Sequence, residues 1–287
     1  QQKSYIAELD GVRQLRKGVA LNTNICFSNP EARRIQAQYI ADYAEKQNNV
    51  DFLHIWLADA NNNHCECENC RKKRVADWYV MMLNEVDEEL TARGLDTRIV
   101  FCVYSDTTHE PTCEKIKNPA RFSMQLGAIS RSYTYSVEKD PKVEKITPFE
   151  LNKSGRLDTM EEYIYHTNQW RKFAPCNSFA YEYHFWKHQF YAPGVFSFAK
   201  RLQEDVLSYR DNGFGGMIQD GSQRAFFPNG FNYYVYASTL FDTNVDLEAV
   251  KRDYFEHAFG EIADDVINYL AEITEAFDMK YIMDGSN

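Results

Sequence analysis

Apolar runs of strand length alternate along the chain with longer stretches of helical spacing. Six runs read as strands: residues 19–27 (VALNTNICF), 52–59 (FLHIWLAD), 98–105 (RIVFCVYS), 122–129 (FSMQLGAI), 178–185 (SFAYEYHF) and 213–220 (GFGGMIQD), the last weakened by its glycines. Helices are expected from Asn29 or Pro30 to 46, where Pro30 suits a first turn, and over 73–93, where Gly94 is placed to end one. Two more are expected over 159–172 and 196–212, and three others, about 229–241, 246–259 and 263–280, follow the last strand. A long polar connection covers 131–157. Strands alternating with helices imply an α/β fold with a parallel sheet. The expectation is a TIM-type (β/α)8 barrel, a single domain over residues 1–287. About six of its eight strands would lie in this segment, its first strands upstream of residue 1, and helices at its C-terminal end. An open doubly wound sheet is the runner-up, disfavoured because no Gly-rich phosphate fingerprint follows any of these runs.

Composition narrows the functional classes. The chain has 287 residues, 44% apolar, enough for a substantial core. Its formal net charge of −10 makes a phosphate backbone or an anionic membrane surface a poor partner. No apolar run approaches the ~18 residues that span a bilayer, and residues 1–17 lack the apolar stretch of a signal peptide. Aromatic residues make up 15%, a content that suits both cores and sites that stack flat ligands.

In a barrel the working residues stand at the carboxyl ends of strands. There the sequence offers Asp59, Asp106, Glu182, and Gln219 with Asp220. Two converging carboxyl groups can divide the roles of acid and nucleophile or base that glycoside hydrolysis needs. Asp and Asn also favour the turns after strands, so each acid alone has a structural reading. Glu182 is singled out because it sits in an aromatic run, YEYHFW, where a carboxylate is costly to bury without a partner. Trp56, Tyr104, Tyr183 and Trp186 are candidate sugar platforms, and Tyr181 a further one. His184 is placed to orient a hydroxyl or tune Glu182, and Asn24 and Arg131 are weaker substrate contacts. For each aromatic residue, core packing is the competing account.

The segment HCECENC, residues 64–70, brings Cys65, Cys67 and Cys70 within reach of one ion. A tetrahedral zinc needs a fourth ligand, and the candidates are His64, His109, Cys113 and Cys26. A structural ion is expected, pinning the loop after Asp59, with no organic cofactor. A disulfide or free thiols are the competing reading.

The loop LADANNNHCECENC resembles the asparagine- or aspartate-rich segment followed by C-x-C-x-x-C in the bacterial domain of unknown function 4838 family. The opening SYIAELDGVRQ, the segment NICFSNPEARR, and the C-terminal stretch from YEYHFW through APGVFSFAKRLQEDVLSYRDNGFGGMIQDGS to DVINYL are similar to it in order and spacing. The resemblance implies a glycoside-hydrolase-like barrel and a periplasmic or secreted location. It carries the family pattern onto Asp59, Cys65, Cys67, Cys70, Glu182 and Asp220, with Asp59 ending the fourth barrel strand and Glu182 on the seventh. The run SYTYSVEKDPK, residues 132–142, departs from that pattern. The leading expectation is a glycoside hydrolase acting on a polysaccharide or glycan, with Asp59 as acid, Glu182 as nucleophile or base and Asp220 in support. A barrel that binds glycans without cleaving them, and a zinc hydrolase using the cysteine cluster, are the alternatives.

Overall fold

The computed structural model describes residues 2–47, 49–153, 157, 159–186, 189, 192–221, 227–278 and 280–281. The chain divides into two compact units, one from Gln1–Gly127, Val143–Leu157 and Glu162–Ser178, the other from Ala128–Lys142, Asp158–Glu161 and Phe179–Asn287.

The first unit opens on a small antiparallel hairpin, β1 (Glu8–Leu9) and β2 (Val12–Arg13). Its two-residue turn is Asp10–Gly11, both with positive φ (50° and 76°), the Asp-Gly chemistry that a type I′ hairpin demands. Helix α1 (Pro30–Lys46) is capped by Asn29, whose side chain accepts from the N–H groups of Glu31 and Ala32. Helix α2 (Val75–Ala92) buries Tyr79, Leu83, Val86 and Leu90, one stripe at helical spacing. Three parallel strands, β3 (Phe52–Ile55), β4 (Arg98–Tyr104) and β5 (Phe122–Gly127), pair in that order. The five inner residues of β4 are all buried, as a strand covered on both faces requires. Most of α3 (Met160–Phe173) belongs here, where Trp170 is fully buried and donates to the carbonyls of Thr107 and Thr108.

The second unit holds most of β6 (Asn177–Phe185) and all of β7 (Met217–Gly221), paired in parallel with a bulge between Glu182 and Phe185. Gly221 faces Phe185 so closely that a Cβ there would lie 2.3 Å from the Phe185 Cβ. Helices α4 (Val195–Asp211), α5 (Gly230–Phe241), α6 (Leu247–Phe259) and α7 (Ala263–Ala276) share an apolar core built on Val195, Phe231, Val235, Phe255 and Leu270.

The α/β class stands, and each of the seven expected helices has a counterpart among the described residues, within a few residues of where the spacing puts it. The eight-stranded barrel is corrected: the described residues contain five parallel strands, three in the first unit and two in the second. The six-strand count fails at residues 19–27. Here the chain turns through a 3-10 segment at Ala20–Asn22, and Ile25 makes one isolated bridge with Ile6. Local side-chain bonds compete with a ladder: Thr23 Oγ1 donates to the Val19 carbonyl at 2.7 Å and accepts from the Arg16 N–H at 2.9 Å. With residues 19–27 outside the sheet, the described residues show five parallel strands and no closed eight-stranded barrel.

Candidate functional site

The cysteine cluster lies wholly in the first unit. Cys65, Cys67 and Cys70 arrive on the loop that follows β3, and Cys26 comes from the turn before α1. The four sulfurs lie within 4.8 Å of one another and can hold one metal ion. Cys26 Sγ stands 3.7 Å from Cys67 Sγ and 3.8 Å from Cys70 Sγ. All four thiols are free of disulfides. Donors surround them: the Glu8 N–H reaches Cys65 Sγ at 3.3 Å, the Ser28 N–H reaches Cys70 Sγ at 3.3 Å, and Arg13 Nη1 approaches Cys65 Sγ at 3.8 Å. Hydrogen bonds from Cys65 first, then Cys70, hold Cys26 well below the usual thiol range.

His64, expected beside the three cysteines, is turned elsewhere. Its Nε2 lies 3.2 Å from Asp106 Oδ2, and both side chains are buried. The same Asp106 oxygen accepts from the Asn62 N–H at 2.7 Å. His109 contacts the Thr147 carbonyl at 2.8 Å, and Cys113 is exposed.

The loop that delivers Asp59 is tied to residues beside the cysteines. Asn24 is buried; it donates to Asn63 Oδ1 at 2.8 Å and accepts from the Ala58 N–H at 3.0 Å. Asn63 donates to the Asn22 carbonyl at 3.0 Å, and the Asp59 N–H to that of Leu21 at 3.1 Å. Asn24 is thus a loop tie two residues from Cys26, a role its polarity alone does not reveal. The Asp59 side chain itself is exposed.

The second unit contains a buried ion network. Glu182, on β6, has no solvent exposure. It accepts from Arg131 Nη1 at 3.0 Å, from the Tyr133 hydroxyl at 2.6 Å and from the Tyr209 hydroxyl. Arg131 also pairs with Asp205 on α4 at 2.8 Å, and Asp205 in turn stands 2.8 Å from His184 Nε2. His184 Nδ1 lies 3.2 Å from Gln219 Oε1 on the neighbouring strand. Burial would raise the Asp205 pKa, but the Arg131 charge and bonds from His184 and Ser136 overcome it and hold the carboxyl down at about 2. Burial and the Glu182 charge push Tyr133 and Tyr209 well above the usual phenol range, so both remain donors.

Arg131 is therefore an internal counter-ion, sequestered from ligands. Asp205, Tyr133 and Tyr209 complete the network unforeseen by sequence. The signal available was Asp205 and Tyr209 at i and i+4 on the stripe of Leu202 and Val206, an acid on the buried face of a helix. Asp220 is half-buried on β7, and Tyr104 half-buried at the end of β4.

The expected aromatic platforms divide. Tyr183 is buried, its ring 6.0 Å from that of Trp186. Trp186 is 45% exposed and Trp56 48% exposed, and each immediately follows the carboxyl end of a parallel strand, β6 and β3 respectively.

A family model described as a domain of unknown function (DUF4838) matches residues 4–271. No curated protein matches the chain.

Proposed function

The chain belongs to the DUF4838 family, and from that premise we propose that it is a carbohydrate-active domain that hydrolyses glycosidic bonds. The observation that carries this reading is, in each unit by itself, a half-exposed tryptophan directly after the carboxyl end of a parallel strand: Trp56 after β3 in the first, and Trp186 after β6, the strand that carries Glu182, in the second. An indole left half in water forgoes burial free energy of order 1 kcal/mol or more, which a stacked sugar face returns. Asp59, exposed in the loop four residues past the end of β3, is the proposed acid. Glu182, held in one orientation by three donors, is the proposed nucleophile or base, and Asp220 a supporting group.

The cysteines take a zinc ion in this reading. A tetrahedron with Zn–S arms of about 2.3 Å has edges of about 3.8 Å, close to the sulfur separations of 3.7 and 3.8 Å. Four thiolates close the coordination sphere, so the ion fixes the loop and supplies no open position for substrate.

The test is hydrolysis of a panel of polysaccharides and aryl glycosides by the zinc-loaded protein. Asp59→Asn and Glu182→Gln should each lower kcat by at least about 100-fold, the lower bound for acid–base catalysis, with the fold intact by circular dichroism. One observation favours a second reading, binding without cleavage: Glu182 is completely buried and already engaged with three donors. Retention of a glycan without turnover, lost in Trp56→Ala and Trp186→Ala, selects that reading.

A further inference from the structure

The first unit has a cleft of about 400 Å³ that neither the thiolate cluster nor the ion network uses. The β1–β2 hairpin forms one wall, the segment after it a second, and Asn62, Glu66 and Asn152 a third. Its volume sits at the small end of ligand pockets.

The backbone around it is unusual. Six described non-glycine residues adopt positive φ, and four of them line this cleft: Asp10 (50°), Lys17 (50°), Asn62 (53°) and Asn152 (56°). Asn and Asp tolerate that conformation in turns, but lysine gains nothing from it, and such residues concentrate at binding sites. The buried Asn62 Oδ1 accepts no hydrogen bond among the described residues.

The charges discriminate between ligands. Glu66 is already engaged, by Asn152 Nδ2 at 2.7 Å and by the Asp10 N–H at 3.0 Å. Arg16 Nη1 is turned onto the Asn61 carbonyl. The lining thus balances two cations, Arg16 and Lys17, with two carboxylates, Asp10 and Glu66, with the Gln14 amide nearby. Such a set has little net field for a bare anion or a metal ion. It offers alternating donors and acceptors, and Leu9 and Val12 add an apolar patch. Hydroxyls around a ring with an apolar C–H face fit this combination.

We propose that the cleft binds a neutral polyhydroxylated ligand of one or two sugar rings. The proposal rests on this geometry alone and holds whether or not Asp59 and Glu182 perform hydrolysis. The experiment is ligand titration by saturation-transfer NMR and calorimetry on the zinc-loaded full chain. The probes are neutral mono- and disaccharides, inorganic phosphate and calcium chloride, each added separately. At least one neutral sugar should bind with one-to-one saturation, and Gln14→Ala with Lys17→Ala should weaken it about tenfold, as two lost hydrogen-bonding groups predict. The double variant should keep its melting temperature and any hydrolytic activity, which separates this site from the proposed hydrolytic one. Binding of phosphate or calcium alone, no binding of any sugar, or sugar binding unchanged in the double variant overturns the proposal.

Discussion

The two units solve one electrostatic problem in opposite ways. In the first, four thiols converge with the Arg13 guanidinium 3.8 Å from one sulfur. In the second, two carboxylates converge on Arg131, a cation the chain supplies from its own interior, at 2.8 and 3.0 Å. A metal ion held by the four thiols would bring its counter-charge from solution, and the stability of that unit should then follow metal supply. The second carries its counter-charge covalently and answers to mutation and pH.

The largest effect should come from removing metal. Structural zinc sites in small domains contribute about 10–16 kcal/mol. Losing even about 5 kcal/mol of that would lower the melting temperature by about 10 °C or more. Calorimetry before and after chelation should show this shift, and elemental analysis should find one zinc per chain. Cys26→Ser should lose the metal as completely as Cys70→Ser, whereas His64→Ala should retain it. A metal-free Cys26→Ser protein that melts with the zinc-loaded parent would break the comparison.

Next is Arg131→Met, which leaves two buried carboxylates without their cation. Unpairing a buried ion of this kind costs about 3–5 kcal/mol. Urea unfolding should register that loss equally with and without chelator, because the second unit contains none of the cysteines that form the cluster. Acid should sharpen the contrast by a smaller amount. Asp205 is held at about 2 in the folded state, below its ordinary value of about 3.9. Its contribution, about 2 kcal/mol, is therefore full above the unfolded pKa and lost as pH falls from about 4 through 2. Asp205→Asn should flatten the stability–pH curve in that window; an unchanged curve would sever Asp205 from the network. Gly221→Ala is expected to cost about 1–3 kcal/mol by forcing a methyl group against Phe185. Far-UV and near-UV circular dichroism melts will show whether that loss stays within the second unit.

Much of this was legible in the sequence where the signal was local. Asn29 followed by Pro30 marks the start of α1, and a run such as RIVFCVY marks a strand buried on both faces. Residues 19–27 misled because VALNTNICF has strand composition, while its Thr23 hydroxyl donates to the Val19 carbonyl and its Asn24 side chain accepts from the Ala58 N–H of a separate loop. The fourth sulfur was harder for a different reason. His64 is adjacent to Cys65, but its ring meets the buried Asp106 instead. Cys26 reaches the cluster from 44 positions before Cys70, a separation no spacing rule encodes. Glu182 stood out because an acid inside YEYHFW needs a partner, but its partners come from separate segments: Arg131 and Tyr133 from the polar connection and Tyr209 from α4.

The placement of Cys26 also bears on how the chain reaches its folded state. Helix α1 and strand β3 lie inside the stretch that an ion held by Cys26 and Cys70 would close. By the chain-entropy argument for cross-links, a closure of this length removes about 4 kcal/mol of freedom from the unfolded ensemble. An ion captured early would thus act as a topological pin, shortening the search by which α1 and β3 find their neighbours. Refolding begun with zinc present should then outpace refolding in which the metal is added last.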